Sequence, residues 1–293
     1  MAFDFTAIKA QRQTIISMGT PKIIGILGPR GYGKSSVLGT LPRTKPVLMV
    51  LTQPEIHSYA AAAAIANKTH GSADHLHPFF IDKVGETLIQ GDVVVAKLIE
   101  LLNDENTPKF FPFVCLDSLA ALDVHVQATT LVAKADKFSV GKESVACYDR
   151  IFNAVRLYVQ RGGCFIYTVP TEVFEGVATA KLRGTAALNT VLGGSSVIVR
   201  MEKVTHRDGD AVTTDYCLAF AGGELQKKQN KIKSMSGSGK DLVIDSIPVT
   251  LSFACRIAGI PMEKIPSVME ADLSELLDIM DKGGVDFTTT KEG

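Results

Sequence analysis

The sequence lacks an excess of charge of either sign: 293 residues carry 31 basic and 31 acidic side chains. Nothing in that balance advertises nucleic-acid binding, so any such activity must come from local patches. Paired cysteines are also missing. Cys115, Cys147, Cys164, Cys217 and Cys255 are scattered and odd in number, with no Cys-x-x-Cys, which argues against a disulfide framework or a structural zinc site. Several lie in apolar runs such as FVCL and GCFIYTV, where cysteine packs as a small hydrophobe. No apolar stretch reaches the roughly 18 residues of a membrane span. The opening MAFDFTAIKAQRQ has neither the basic start nor the apolar core of a signal peptide. Internal repeats are absent. These absences predict a soluble protein of a reducing, cytoplasmic compartment.

What is present is ordinary globular composition, 46% apolar and 21% charged with 25 Gly and 12 Pro. The length suits one large α/β domain, or one with a small appendage. Residues 5–18 read as an amphipathic helix capped by Thr6 and ended by Gly19, with Ile8, Ile15 and Ile16 on its buried stripe. Short apolar runs at Lys22–Leu27, Pro46–Thr52, Phe110–Leu116 and Cys164–Val169 read as buried strands. Between them, SSVLGTL, the alanine-rich Ala60–Ala66, Asp92–Leu102 and the stretch to about Arg161 have helical character. The apolar positions of Asp92–Leu102 are Val93, Ala96, Leu98, Ile99 and Leu102. Val197–Val204 and Tyr216–Phe220 are β-rich, and HRDGD between them is a hairpin turn signal. Apolar strands alternating with helices imply a parallel sheet covered on both faces, extended by the later hairpin in antiparallel sense. Lys227–Lys240 is basic and Gly/Ser-rich, and reads as a loop. Leu251–Ile257 and Leu273–Met280 read as two small helices, which divides the chain into 1–19, a core at 20–240 and a helical tail at 241–293.

The strongest local signal is Gly28-Pro29-Arg30-Gly31-Tyr32-Gly33-Lys34-Ser35, an intact GxxxxGK[ST] between an expected strand and helix. Glycines let successive main-chain N–H groups turn inward around a polyphosphate, and a helix N-terminus adds its dipole. Lys34 would reach the β/γ-phosphates of ATP and the Ser35 hydroxyl would ligate Mg²⁺, with Ser36 beside it. Asp117 closes the run PFVCL and is the candidate second magnesium group; Ser118 beside it could orient a water. Glu55 follows the second strand and would emerge on the carboxyl edge of the sheet, where ligands gather in open α/β folds, as the group that activates water.

GPRGYGKSS and LDSLAAL (116–122) resemble the phosphate loop and Walker B segment of RecA-type recombinases, and LRGTAALNTVLGGSSVIVRMEKVTHRDGD (182–210) and QNKIK (229–233) resemble the stretches that follow in that family. Order and spacing match over roughly residues 20–240, most similarly to the smaller phage-encoded RecA-like ATPases of single-strand annealing and recombination. The resemblance implies a RecA-like P-loop core and specific roles. Glu55 matches the catalytic glutamate, and Tyr59 falls near the position that stacks on adenine. Thr168 falls where a polar group senses the γ-phosphate, although the family's Asn-Gln pair is replaced by Thr168-Val169. Lys231, with Lys233 as the alternative, matches a lysine that reaches the ATP of the neighbouring subunit.

The resemblance also implies two loops facing single-stranded DNA in a filament or ring. One lies around Lys134–Lys142, with Lys134, Lys137, Lys142 and Phe138, and the other around Thr171–Ala187, with Phe174, Lys181 and Arg183. Such a mix of cations and aromatics suits phosphate contacts and stacking. His70, His75 and His77 match no standard zinc spacing. The function expected is an oligomeric, Mg²⁺- and ATP-dependent, DNA-stimulated ATPase acting in annealing or strand exchange. The alternatives are a ring-forming helicase or packaging motor, and an ATP-gated assembly protein that does not bind DNA.

Overall fold

The strand β1 (Lys22–Gly28) is buried at six of its seven positions and runs straight into the glycine-rich turn. In this computed structural model the described residues are 22–174, 177–180, 182, 185–208, 211–220, 268–270, 273–274 and 277–278. The helix expected at 5–18, the basic stretch 227–240 with Lys231 and Lys233, and Lys181 and Arg183 lie outside them.

After the turn comes a single 3-10 helix, Ser36–Thr40, then β2 (Val47–Leu51), buried throughout. α1 (Ile56–His70) leads back to β3 (Leu76–Phe80), and β4 (Lys83–Val84) and β5 (Thr87–Leu88) form a small hairpin. α2 (Asp92–Asn103) and α3 (Thr107–Phe110) precede β6 (Phe113–Asp117). α4 (Leu119–Gln127), α5 (Thr130–Ala133) and α6 (Val140–Gln160) cross to β7 (Cys164–Phe174). β8 (Val177–Ala180) folds back on β7, and α7 (Thr185–Gly193) leads to the hairpin of β9 (Val197–Asp208) and β10 (Ala211–Phe220). β11 (Val268–Glu270) pairs with β10.

The sheet order is β11-β10-β9-β1-β7-β6-β2-β3. Among the described residues β9, β1, β7, β6, β2 and β3 are mutually parallel, and β8, β10 and β11 are antiparallel to their neighbours. The expected α/β architecture, a mostly parallel sheet with helices on both faces and a later antiparallel hairpin, is the fold observed. Register matters for the site. Pairings Leu51↔Asp117, Leu116↔Tyr167 and Gly28↔Pro170 bring the carboxyl ends of five neighbouring strands, β1, β7, β6, β2 and β3, to one edge.

Side chains alternate between two cores. One, on the α2, α4 and α6 side, gathers Leu48, Val50, Leu98, Leu122, Tyr148 and Phe152. The other gathers Ile24, Ile26, Val37, Leu38, Met49 and Ala62 with Leu273 and Leu277 of the tail. The tail is tied down by polar contacts as well: Leu273 N–H donates to Thr40 Oγ1 at 2.9 Å and Ser274 Oγ to the Thr40 carbonyl at 2.6 Å. Cys115, Cys147 and Cys164 are buried thiols. No helix among the described residues is long and apolar enough to cross a membrane.

Several local readings change. SSVLGTL forms one 3-10 turn rather than a longer helix, because Leu41 precedes Pro42 and adopts the extended ψ of 148° that a following proline favours. The buried stripe of α2 is Val94, Val95, Leu98 and Leu102, and Val93 is 55% exposed. Both strands of the late hairpin run further than their apolar cores, since cross-strand pairing carries polar residues along. Thr171–Ala187 is not an open loop: main-chain pairing from Thr171↔Ala180 to Phe174↔Val177 makes a hairpin, and Thr185 begins α7. The Lys134–Lys142 segment shortens likewise, with Lys142 already in the first turn of α6. The described part of the tail contributes a strand in addition to helical residues.

Candidate functional site

The turn after β1 is shaped by glycine where the backbone demands it. Gly31 and Gly33 have φ of 76° and 80°, a region L side chains avoid. Lys34 folds over the turn, its Nζ donating to the carbonyls of Gly28 and Pro29 at 2.8 Å each. Burial lowers its pKa, with Asp117 opposing and Arg30 reinforcing the shift. Ser35 Oγ donates to Ser58 Oγ on α1 at 3.2 Å. The short 3-10 helix leaves little macrodipole behind the turn, so its anion-binding capacity rests on main-chain N–H groups and Lys34.

Asp117 ends β6 and is 3% exposed. Its Oδ1 accepts from Thr168 Oγ1, while Oδ2 is buried with no hydrogen-bond partner among the described residues. A buried, unpartnered carboxylate oxygen is costly unless something completes it. With the Ser35 hydroxyl lining the same cleft, the oxygen donors fit Mg²⁺, which takes few protein ligands. Thr168 is fully buried, and its hydroxyl holds Asp117. Its place near the end of the apolar run was legible, and its partner here is the Asp117 carboxylate.

Glu55 closes a short 3-10 turn and stands immediately before α1. Its two oxygens are both taken by one residue: Ser118 N–H donates to Oε2, and Ser118 Oγ donates to Oε1 at 2.9 Å. The same Ser118 hydroxyl accepts from Ala121 N–H as the cap of α4, and the Asp117–Ser118 peptide is cis. Ser118 thus joins Glu55 to a helix. Burial first, and the charge of Asp117 second, raise the Glu55 pKa to about 7 against the opposing Ser118 hydrogen bonds and Arg30.

Arg30, Lys34, Ser35, Glu55, Asp117 and Thr168 therefore line one cleft of about 940 Å³. A second cavity of about 450 Å³ adjoins the turn, shared by Gly31, Gly33, Ser36, Val37, Ile65 and Met201. Tyr32 packs on the α1-side core. Tyr59 does the same, its hydroxyl donating to the Leu76 carbonyl at 3.5 Å, and it lines neither cavity. Tyr59 shares the stripe of the buried Ala62 and Ala66, a spacing of three and four residues that marks the core face of a helix.

Lys134, Lys137 and Lys142 are exposed. Phe138 among them is 99% exposed. The turn is organised by Asp136, which accepts from Phe138 N–H and Ser139 N–H at 2.8 and 3.0 Å. Phe174 lies at the end of β7, next to the β8 turn.

No family model matches the chain, and no curated protein matches it in sequence. Among solved structures it is similar to the flagellar accessory protein FlaH from Methanocaldococcus jannaschii. The identity is 13% and the TM-score 0.36, over 68% of this chain and 78% of that one.

Proposed function

We propose that the chain is a Mg²⁺-dependent ATPase of RecA-like type that works as a homo-oligomer on single-stranded DNA, in annealing or strand exchange. The observation that carries the hydrolytic part is the convergence of Lys34, Ser35, Asp117 and Glu55 in one cleft. The N–H groups of Arg30–Ser35 would cradle the substrate's phosphates and Lys34 would exchange its two carbonyl partners for them. The cavity beside Gly33 and Val37 has the apolar lining that suits a nucleobase. Ser35 and Asp117 Oδ2 would hold Mg²⁺, which when bound screens phosphate charge and acts as a Lewis acid.

Glu55 is the group for water. A carboxylate whose pKa lies near 7 is matched to proton abstraction at neutral pH, and Ser118 fixes its plane. Thr168 positions Asp117. Lys231, or Lys233, is proposed to enter from a neighbouring subunit, where a cation can raise turnover by about 10³–10⁵ and make it depend on assembly. Support for DNA is the exposed Phe138 with Lys134, Lys137 and Lys142, joined by Phe174, Lys181 and Arg183 of the second segment. Few cations per subunit suffice when many subunits share one strand.

Phosphate release with and without an oligo-dT strand, at low and high salt, tests this. Stimulation at low salt that disappears at high salt is expected. No release under any condition overturns the ATPase reading. Release indifferent to DNA at every salt overturns the DNA reading and leaves an ATP-gated assembly protein. Lys231→Ala should abolish turnover while leaving nucleotide binding intact.

A further inference from the structure

The cleft is larger than the groups used above require. Past Asp117 and Glu55 it continues over the carboxyl ends of β6, β2 and β3, where Thr52, Gln53, Asp82, Gln90 and His125 line it. Asp82 is 5% exposed, and its two oxygens share one donor, the Gln53 N–H, at 3.0 and 2.9 Å. A carboxylate can accept about four hydrogen bonds, and a buried one with a single neutral donor is under-compensated. Nearby cations are engaged elsewhere. Lys97 Nζ donates to the carbonyls of Ile81 and Lys83 at 3.2 and 2.8 Å and lies over the Phe79 ring, while Lys83 pairs with Glu86.

Two further polar atoms lining this end have no hydrogen-bond partner among the described residues. They are Thr52 Oγ1, on a residue 4% exposed, and His125 Nδ1, on one 8% exposed. Burial lowers the His125 pKa, with Asp82 opposing, so the ring is neutral at neutral pH and offers a lone pair. The cleft is polar along its length: Arg30 and Lys34 stand at the phosphate end, whereas Asp82 and Asp123 stand at the far end, whose lining holds no lysine or arginine. Among the described residues no group of three or more His, Cys, Asp or Glu side chains is placed to hold a metal ion, and the annex offers a histidine nitrogen where Mg²⁺ prefers oxygen.

We propose that this annex binds an organic cation, an ammonium or guanidinium group, with Asp82 as counter-ion and Thr52 and His125 as neutral acceptors. Such a group carries three to five N–H donors, as many as the annex lacks, and a guanidinium can engage Asp82 through two parallel bonds. The cation comes either from a lysine or arginine side chain of a protein or from a soluble polyamine. The assignment does not depend on Glu55 acting as a base.

The test uses the full chain with ¹³C-labelled histidine, the His125 signal being assigned from His125→Gln. Spermidine, Nα-acetyl-arginine amide and Nα-acetyl-lysine amide are each titrated. Saturable movement of the His125 signal is expected, with affinity reduced at least tenfold in Asp82→Asn, which keeps an acceptor for Gln53. Thr52→Val, nearly isosteric, should weaken binding severalfold and serves if Asp82→Asn does not fold. Preference for spermidine identifies a free polyamine, and preference for an amide identifies a side chain. No saturable movement with any probe, or binding unchanged in both variants, overturns the proposal. Binding of a nucleotide analogue is followed in the same samples: its failure beside intact cation binding would sink the ATPase reading alone, and the converse would sink the annex alone.

Discussion

Replacing Glu55 by Gln should separate what this residue does for stability from what it does for turnover. In the folded chain its pKa is about 7, against an ordinary 4.5. The folded state therefore holds this proton between those values while the unfolded state gives it up. The associated stability is fully present below pH of about 4.5 and is lost as pH rises through about 7. A shift of that size corresponds to about 3 kcal/mol at most. Gln cannot ionise, so Glu55→Gln lacks this pH-dependent loss. It carries a fixed penalty, because its amide nitrogen cannot accept from Ser118, of about 1 kcal/mol. The variant should thus be slightly less stable than the parent at pH 4.5 and about 2 kcal/mol more stable at pH 8.5. Urea denaturation at both values, without Mg²⁺ or nucleotide, measures it. A stability difference that stays flat with pH would refute the burial argument, and one that grows in the opposite direction would refute its sign. Turnover should be abolished in the variant at both pH values.

Ser118 can be dissected with three substitutions. All three keep the main-chain N–H bond to Glu55. Ser118→Thr keeps both the cap and the hydroxyl donor to Glu55 and should retain activity, Ser118→Asp keeps only the cap, and Ser118→Ala keeps neither; kcat should fall about 100-fold in the last two, with nucleotide affinity unchanged, and equal loss of affinity would show a merely structural role. Only Ser118→Ala should also lose about 1 kcal/mol of helix capping. At Gly39, a Cβ would stand 2.2 Å from the Ala62 carbonyl oxygen and 2.9 Å from Ala66 N. Because both neighbours are main chain, Gly39→Ala should destabilise by about 3 kcal/mol, read as a fall in Tm, and an unchanged Tm would mean that α1 does not pack there.

The glycine-rich turn was legible because its constraint is local: a strand, eight residues of fixed spacing and a following helical turn sit in one stretch of chain. The positions of Asp117 and Glu55 were legible for a related reason: Asp117 closes an apolar run that reads as a buried strand, and Glu55 follows another by a few residues. The partnerships were not legible. Ser118 meets Glu55 across 63 positions, and Thr168 meets Asp117 across 51; only strand order sets those pairings, and strand order is not written in any window of sequence. Thr52 and Asp82, just past the ends of β2 and β3, meet His125 of α4 in the same way. Two local features do carry a signal in the sequence: Pro42 limits the helix after Ser35, and Tyr59 lies on the alanine stripe of α1.

Thr40, at the exit of the phosphate turn, bonds a residue 233 positions further on. A chain made from its amino end presents this turn well before the brace beneath it. At about 5–20 residues per second, the interval between them is roughly 10–50 s. The turn would meet cellular nucleotide during that time without Leu273 and Leu277 behind it. Support of the turn by Leu273 and Leu277 then arrives only once the chain has grown past them.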